Sequence, residues 1–113
     1  MATAIHHAMS SARKWGGDPK DYLEIHEWFD STKAHMPDFR HRALRHHSEG
    51  IALMCSIFGP TIINSKGRQV PTLWIGEQHV MEDLQRIPTA ADWLRNLNAE
   101  NWMHVSVQKL EES

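Results

Sequence analysis

Glycine and proline punctuate this chain so regularly that they limit what it can fold into. Gly16-Gly17, Pro37, Gly59-Pro60, Pro71 and Pro88 cut its 113 residues into short segments, and neither residue type is well tolerated inside a helix. Short helices packed into a bundle follow if the intervening segments carry a helical period. Ile5, Met9 and Ala12 recur at helical spacing before Gly16-Gly17, which predicts a helix over 4–15. Asp18-Pro19-Lys20-Asp21 then sets an N-cap, a proline at the first helical position and an acid at the third. The helix it opens carries Tyr22, Ile25, Phe29 and Thr32 on one face, widened by Leu23 and Trp28, until Pro37 interrupts it.

After Pro37-Asp38, the spacing of Leu44, Ile51, Cys55 and Phe58 predicts one long helix ending at Gly59-Pro60. The period then changes. Thr61-Ile62-Ile63 and Arg68-Gln69-Val70 flank Asn64-Ser65-Lys66-Gly67, the pattern of a short hairpin closed by Pro71. Leu73 to Gln85 reads as helix, with Leu73, Glu77, Val80 and Leu84 on one side and Gly76 as its weak point. Pro88-Thr89 followed by Asp92 starts a last helix that should end near Asn98. The chain beyond Trp102 has no clear pattern, and Glu111-Glu112-Ser113 reads as a frayed end. The expected architecture is mainly α: a compact bundle of about five helices with a short β-hairpin insertion around residues 61–70, in a single domain spanning 1–113.

Composition excludes several classes of function. Lys+Arg 12 against Asp+Glu 14 leaves a net charge of -2, so no global basic field attracts nucleic acid, and any polyanion site must be local. Cys55 is the only cysteine, which rules out an intramolecular disulfide and a zinc site built on several thiolates. Ser10-Ser11 lack a nucleophile elbow, and no glycine-rich phosphate loop is present. The N-terminus has no basic stretch leading into an apolar one, and no segment is long and apolar enough to cross a membrane. A cytoplasmic protein without membrane contact is expected.

What composition does emphasise is imidazole: nine histidines. The stretch FRHRALRHH (39–47) holds three of them beside three arginines. On a helix turning about 100° per residue, His47 falls with Leu44 and Ile51, and His46 with Phe39, Ala43 and Gly50, so both rings turn inward. His41, Arg45 and Ser48 share a more exposed strip, while Arg42, His46 and Glu49 form another at its edge. An inward imidazole needs partners for its nitrogens, because an unsatisfied buried polar group costs roughly 1–3 kcal/mol.

Convergent ligands on helices come three or four residues apart. His26 with Asp30 and His79 with Asp83 have that spacing. Adjacent residues diverge by about 100°, so one of His6 and His7 can meet a shared site, and His7 is taken. The candidate metal ligands are therefore His7, His26, His46, His47, His79 and Asp83, for zinc, manganese or nickel. Arg42 and Arg45 are candidates for holding a phosphate, since a guanidinium fork pairs with oxyanions; Glu49 beside them completes the candidate catalytic set.

The pieces HHAMSSARKWGG, IHEWFD, FRHRALRHHSEGI, GEQHVMEDLQRIPTAADWL and NWM cover most of the chain. On them the sequence resembles a family of small uncharacterised His-rich proteins of bacterial and bacteriophage genomes, a resemblance that implies no particular activity. A weaker similarity is to the His-Asp phosphohydrolases, helical enzymes whose metal ligands include an adjacent His-Asp doublet. The nearest counterpart here is His26-Glu27, and that similarity implies only a helical His/Asp metal site.

Inward histidines on separate elements with arginines nearby fit metal-assisted hydrolysis of a phosphoester, in a nucleotide or nucleic acid, by a His/Asp-ligated divalent cation. The alternative is a non-catalytic phage or bacterial interaction protein that docks on a host protein or nucleic acid through the five tryptophans and the arginines. A homo-oligomer whose assembly responds to pH through its histidines is a third reading.

Overall fold

The structure, a computed structural model, describes residues 3–104. A 3-10 turn over Asn101–His104 is the last element described, and the frayed end expected at 111–113 lies outside the described residues. Among those described, the protein is mainly helical, with six α-helices and one antiparallel hairpin. α1 (Ala4–Trp15) ends at Gly16 and Gly17, whose φ angles of 86° and 81° are open to glycine. Gly17 has a further reason to lack a side chain: a Cβ there would meet Asp21 Oδ2 at 2.5 Å and Asn64 Cβ at 2.9 Å.

That tight turn sends the chain into α2 (Lys20–Asp30), where Asp18 Oδ1 accepts the Lys20 N–H at 3.0 Å. A 3-10 turn over Ser31–Ala34 follows, as helical geometry gives out before Pro37. β1 (Thr61–Ile63) pairs with β2 (Gln69–Pro71), Ile62 opposite Val70. The turn between them is held by Asn64 Oδ1, which accepts the N–H groups of Lys66 and Arg68 at 2.9 and 3.0 Å. The hairpin is docked as well: Asn64 Nδ2 donates to the Trp15 carbonyl and to the Tyr22 hydroxyl, and Ser65 donates to Asp21.

β2 runs straight into α5 (Thr72–Leu84), which ends at Gln85 in the left-handed conformation, φ 61°. Gly76, the weak point of this helix by propensity, lies against the core. A Cβ there would meet Met54 Cε at 2.6 Å, Ile51 Cγ2 at 3.1 Å and Phe29 Cζ at 3.3 Å. Close helix approach outweighs the loss of propensity. The buried core comprises Ala8, Tyr22, Ile25, Phe29, Ile51, Met54, Val70, Ile75 and Val80, drawn from α1, α2, α5, the hairpin and the helix over 48–58.

The long helix expected from 38 to 58 is not continuous. A 3-10 turn (Phe39–His41) leads into α3 (Arg42–Arg45), the helix stops, and α4 (Ser48–Phe58) begins anew. His46 takes φ -84°, ψ 67°, and His47 is extended at φ -160°, ψ 170°. His47 Nδ1 accepts the Gly50 N–H at 2.9 Å and so caps α4. Gly50 is required at this break, because any Cβ would run into the Arg45 carbonyl.

The freed backbone groups find distant partners: the Ser48 N–H donates to the Pro88 carbonyl at 2.9 Å, and Trp93 Nε1 donates to the His46 carbonyl at 2.9 Å. Both bonds hold α6 (Ala90–Leu94) against the break. The break also changes what faces inward, so that His41 is buried and Leu44 is half exposed, the reverse of a continuous projection. α6 itself ends at Leu94, earlier than the expected Asn98.

Candidate metal centre

Asp30 closes α2, His46 sits at the α3–α4 break, and His79 and Asp83 lie one turn apart on α5. Each offers one ligand atom to the same point, all within 4.8 Å of one another. His46 Nε2 is 3.2 Å from His79 Nε2, 2.9 Å from Asp83 Oδ2 and 3.6 Å from Asp30 Oδ1. His79 Nε2 is 3.2 Å from Asp30 Oδ1 and 3.3 Å from Asp83 Oδ2. A tetrahedral zinc with ligands at about 2.0–2.1 Å has ligand–ligand edges of roughly 3.3–3.4 Å. The five edges here scatter around that value, and two imidazole nitrogens and two carboxylate oxygens at such range need a cation or a proton between them.

Surroundings make the group stiff and dry. The His46 and His79 side chains are fully buried, Asp83 is 3% exposed and Asp30 13%. Phe29 stacks on His79 with centroids 4.8 Å apart and meets His46 edge-on. Burial opposes ionisation of Asp83, yet the imidazoles of His46, His7 and His79 within bonding distance outweigh it and hold the carboxyl far below its usual range. Asp30 shows the same balance, with burial overcome by His46 and His79. Both carboxylates are therefore ionised and ready for a divalent cation, which would neutralise their two charges.

Two of the predicted histidines stand behind these four. His7 Nε2 is 3.0 Å from Asp83 Oδ1, and His7 Nδ1 is 2.8 Å from Glu82 Oε1. Burial acts against the His7 imidazolium, but bonding to Asp83 and Glu82 and their charges raise its pKa above the ordinary value. His26 Nδ1 lies 2.9 Å from His79 Nδ1, on the ring edge away from the ligand atom. Burial, with His79 and His7 nearby, pushes the His26 pKa down to about 2, so this ring is neutral. In the His26 and Asp30 pair it is the carboxylate that reaches the cluster.

The remaining candidates are placed differently. His47 is committed to capping α4. Glu49 accepts the Ala90 N–H and the Ser48 hydroxyl, tying α4 to α6. Arg45 lies over Trp28, 4.2 Å from the ring centroid, and donates to the Trp28 carbonyl and the Ser31 hydroxyl. Arg42 alone of the candidate catalytic set adjoins the cluster, with Nη2 3.9 Å from Asp83 Oδ1 and a buried Nε that has no partner. His6 sits beside the Thr3 hydroxyl at the start of α1.

Ser11, Gln78 and Glu82 stand outside the predicted set: Ser11 bonds to the His26 ring and Glu82 to the His7 ring, while Gln78 bonds to Ser11, to Glu82 and to the His7 carbonyl. Their spacing held a signal: Ser11 follows His7 by one turn, and Gln78 and Glu82 are a turn apart immediately before His79 and Asp83.

No curated protein and no solved structure matches the chain. Residues 2–103, nearly its whole length, match the Domain of unknown function (DUF6915). The chain carrying this buried His/Asp cluster thus belongs to the DUF6915 family.

Proposed function

We propose that this domain binds one divalent metal ion, zinc foremost, through Asp30, His46, His79 and Asp83. The observation that carries the reading is the convergence of four ligand atoms from three parts of the chain within 4.8 Å of one another, five of their six separations lying between 2.9 and 3.6 Å. Four protein ligands with no open position are the pattern of a structural zinc site. Here the ion would clamp α2, the α3–α4 break and α5 together, and its binding energy would add to folding stability. Imidazole and carboxylate ligands also accept manganese or nickel, with tetrahedral geometry favouring zinc.

Hydrolysis of a phosphoester, in a nucleotide or nucleic acid, is a second reading. It draws on Asp30, the most exposed of the four ligands, whose Oδ2 has no partner, and on the unpartnered Nε of Arg42 beside Asp83. If Asp30 cedes its position to a substrate oxygen, Arg42 can hold the anionic charge. The non-catalytic alternative draws on a groove between the 36–44 segment and α6, where Phe39, Leu44, Leu94 and Leu97 are exposed beside Trp93.

Protein purified without a tag should carry about one equivalent of metal, or take it up, with a raised melting temperature on adding zinc. Absence of stoichiometric binding for zinc, manganese and nickel alike overturns the metal reading. Hydrolysis of a chromogenic phosphodiester by the loaded protein, lost in Arg42→Met, would select the enzymatic reading. Metal binding without turnover would select the structural one.

A further inference from the structure

Gln78, Ser11, His26 and His79 form one buried hydrogen-bonded chain, and its polarity is fixed at the Gln78 end. Gln78 Nε2 lies 3.0 Å from the His7 carbonyl and 2.9 Å from Glu82 Oε1. Both are acceptors, so the nitrogen of the amide must face them and Oε1 must face Ser11. The Ser11 hydroxyl is 2.5 Å from Gln78 Oε1 and 3.1 Å from the His7 carbonyl. Its single hydrogen goes to the nearer acceptor. Ser11 Oγ is then available to His26 Nε2, 2.8 Å away, only as an acceptor. His26 therefore carries its proton on Nε2 and presents a bare Nδ1 to His79 Nδ1 at 2.9 Å. His79 must donate from Nδ1, which leaves its Nε2 as the atom that faces Asp30, His46 and Asp83.

We propose that Gln78 and Ser11, acting through His26, are positioning residues that set the tautomer of His79 so that its Nε2 lone pair is presented to the cation. The proposal rests on the metal reading above for its function, though not for its hydrogen-bond polarity. A metal-bound imidazole almost always donates its other N–H to a fixed acceptor, and loss of such a partner typically weakens metal binding by roughly 10–100-fold. The acceptor here is a neutral imidazole, itself held in one tautomer by a serine and a glutamine. Without the amide oxygen, the Ser11 hydrogen would turn to His26 Nε2. His26 would then carry its proton on Nδ1, donate to His79 Nδ1, and drive the His79 proton onto the ligand atom.

The test uses Gln78→Met, Ser11→Ala and Ser11→Thr, with two readouts. Nitrogen NMR of the imidazole rings in the metal-free protein should find His26 protonated on Nε2 in the wild type and in Ser11→Thr, and on Nδ1 in Gln78→Met. Competition titration with zinc should give Kd values roughly 10–100-fold weaker for Gln78→Met and Ser11→Ala, and a value near wild type for Ser11→Thr. A residue that merely packed would lower the melting temperature without moving the tautomer. If one variant does not fold, the other still reports.

Wild-type His26 protonated on Nδ1 overturns the proposal, as do wild-type zinc affinities in both Gln78→Met and Ser11→Ala. Should the wild type bind no metal, the metal reading fails while the NMR result still decides the polarity of the chain.

Discussion

Asp83 Oδ1 lies 3.0 Å from His7 Nε2, so the carboxylate whose other oxygen faces His46 and His79 is anchored from behind by a buried imidazole. One side chain on α5 thus joins α1 to the α3–α4 break. Through it, the packing of the helices and the geometry of the His/Asp cluster are tied together.

Asp83→Asn and Asp30→Asn separate the two contributions. Both should abolish the rise in melting temperature caused by zinc. Without metal, Asp83→Asn should also cost about 3–5 kcal/mol, because it removes the carboxylate charge that buried His7 and His46 share and leaves them only Glu82 and Asp30. Asp30→Asn should cost less, since Asp30 is more exposed and its Oδ2 has no partner to lose. Denaturant unfolding with and without zinc measures both, and equal losses would contradict the bridging role of Asp83.

Adjacent histidines at the helix break should behave oppositely. His46→Ala removes one of the four proposed ligands and should eliminate zinc binding. His47→Ala removes the acceptor of the Gly50 N–H and should cost about 1 kcal/mol, as other lost N-caps do, while zinc still binds in equal stoichiometry. Calorimetric titration of the two variants distinguishes a ligand from a cap.

Two glycines permit the close approaches around the site. Gly76→Ala gains about 1 kcal/mol of helix propensity but forces a methyl group toward Met54, Ile51 and Phe29, an overpacking that costs typically about 1–3 kcal/mol. A net loss is expected by thermal unfolding. Gly50→Ala meets backbone, the Arg45 carbonyl, which cannot swing away as a side chain can. It should be the more destabilising of the two and should weaken zinc binding by displacing His46.

Asp21 gives stability a dependence on pH away from the metal centre. Burial works against its ionised form, but hydrogen bonds from the backbone of Asp18 and from the backbone and hydroxyl of Ser65 together outweigh it and lower its pKa below the ordinary value. A depressed carboxyl contributes stability above its unfolded value of about 3.9 and loses it as pH falls through the folded value. Asp21→Ala should be less stable than wild type at pH 7 by about 1 kcal/mol, the scale of a lost cap. That gap should close in strongly acidic solution, and a constant gap across the acid range would contradict the assignment.

The elements whose signals are local are legible in the amino-acid sequence. α1, α2 and α5 follow from an apolar period bounded by Gly16-Gly17, by Asp18-Pro19 and by Pro71. The hairpin follows from the change of period around Asn64 and Gly67. A separation of four residues also puts His79 and Asp83 on one face of whatever helix holds them.

The other features depend on contacts between distant parts of the chain. The break at His46 and His47 interrupts a segment that is helical by its own pattern, because its backbone groups are taken up by Pro88 and Trp93, some forty residues away. Nor does spacing distinguish His26 from Asp30 as the group that reaches the cluster, or His7 from His46 as the ring at its centre. Those roles depend on how α1, α2 and α5 are rotated about one another. Coordination requires distances of about 2 Å to a common point, and such distances are set by packing between helices rather than by period within one.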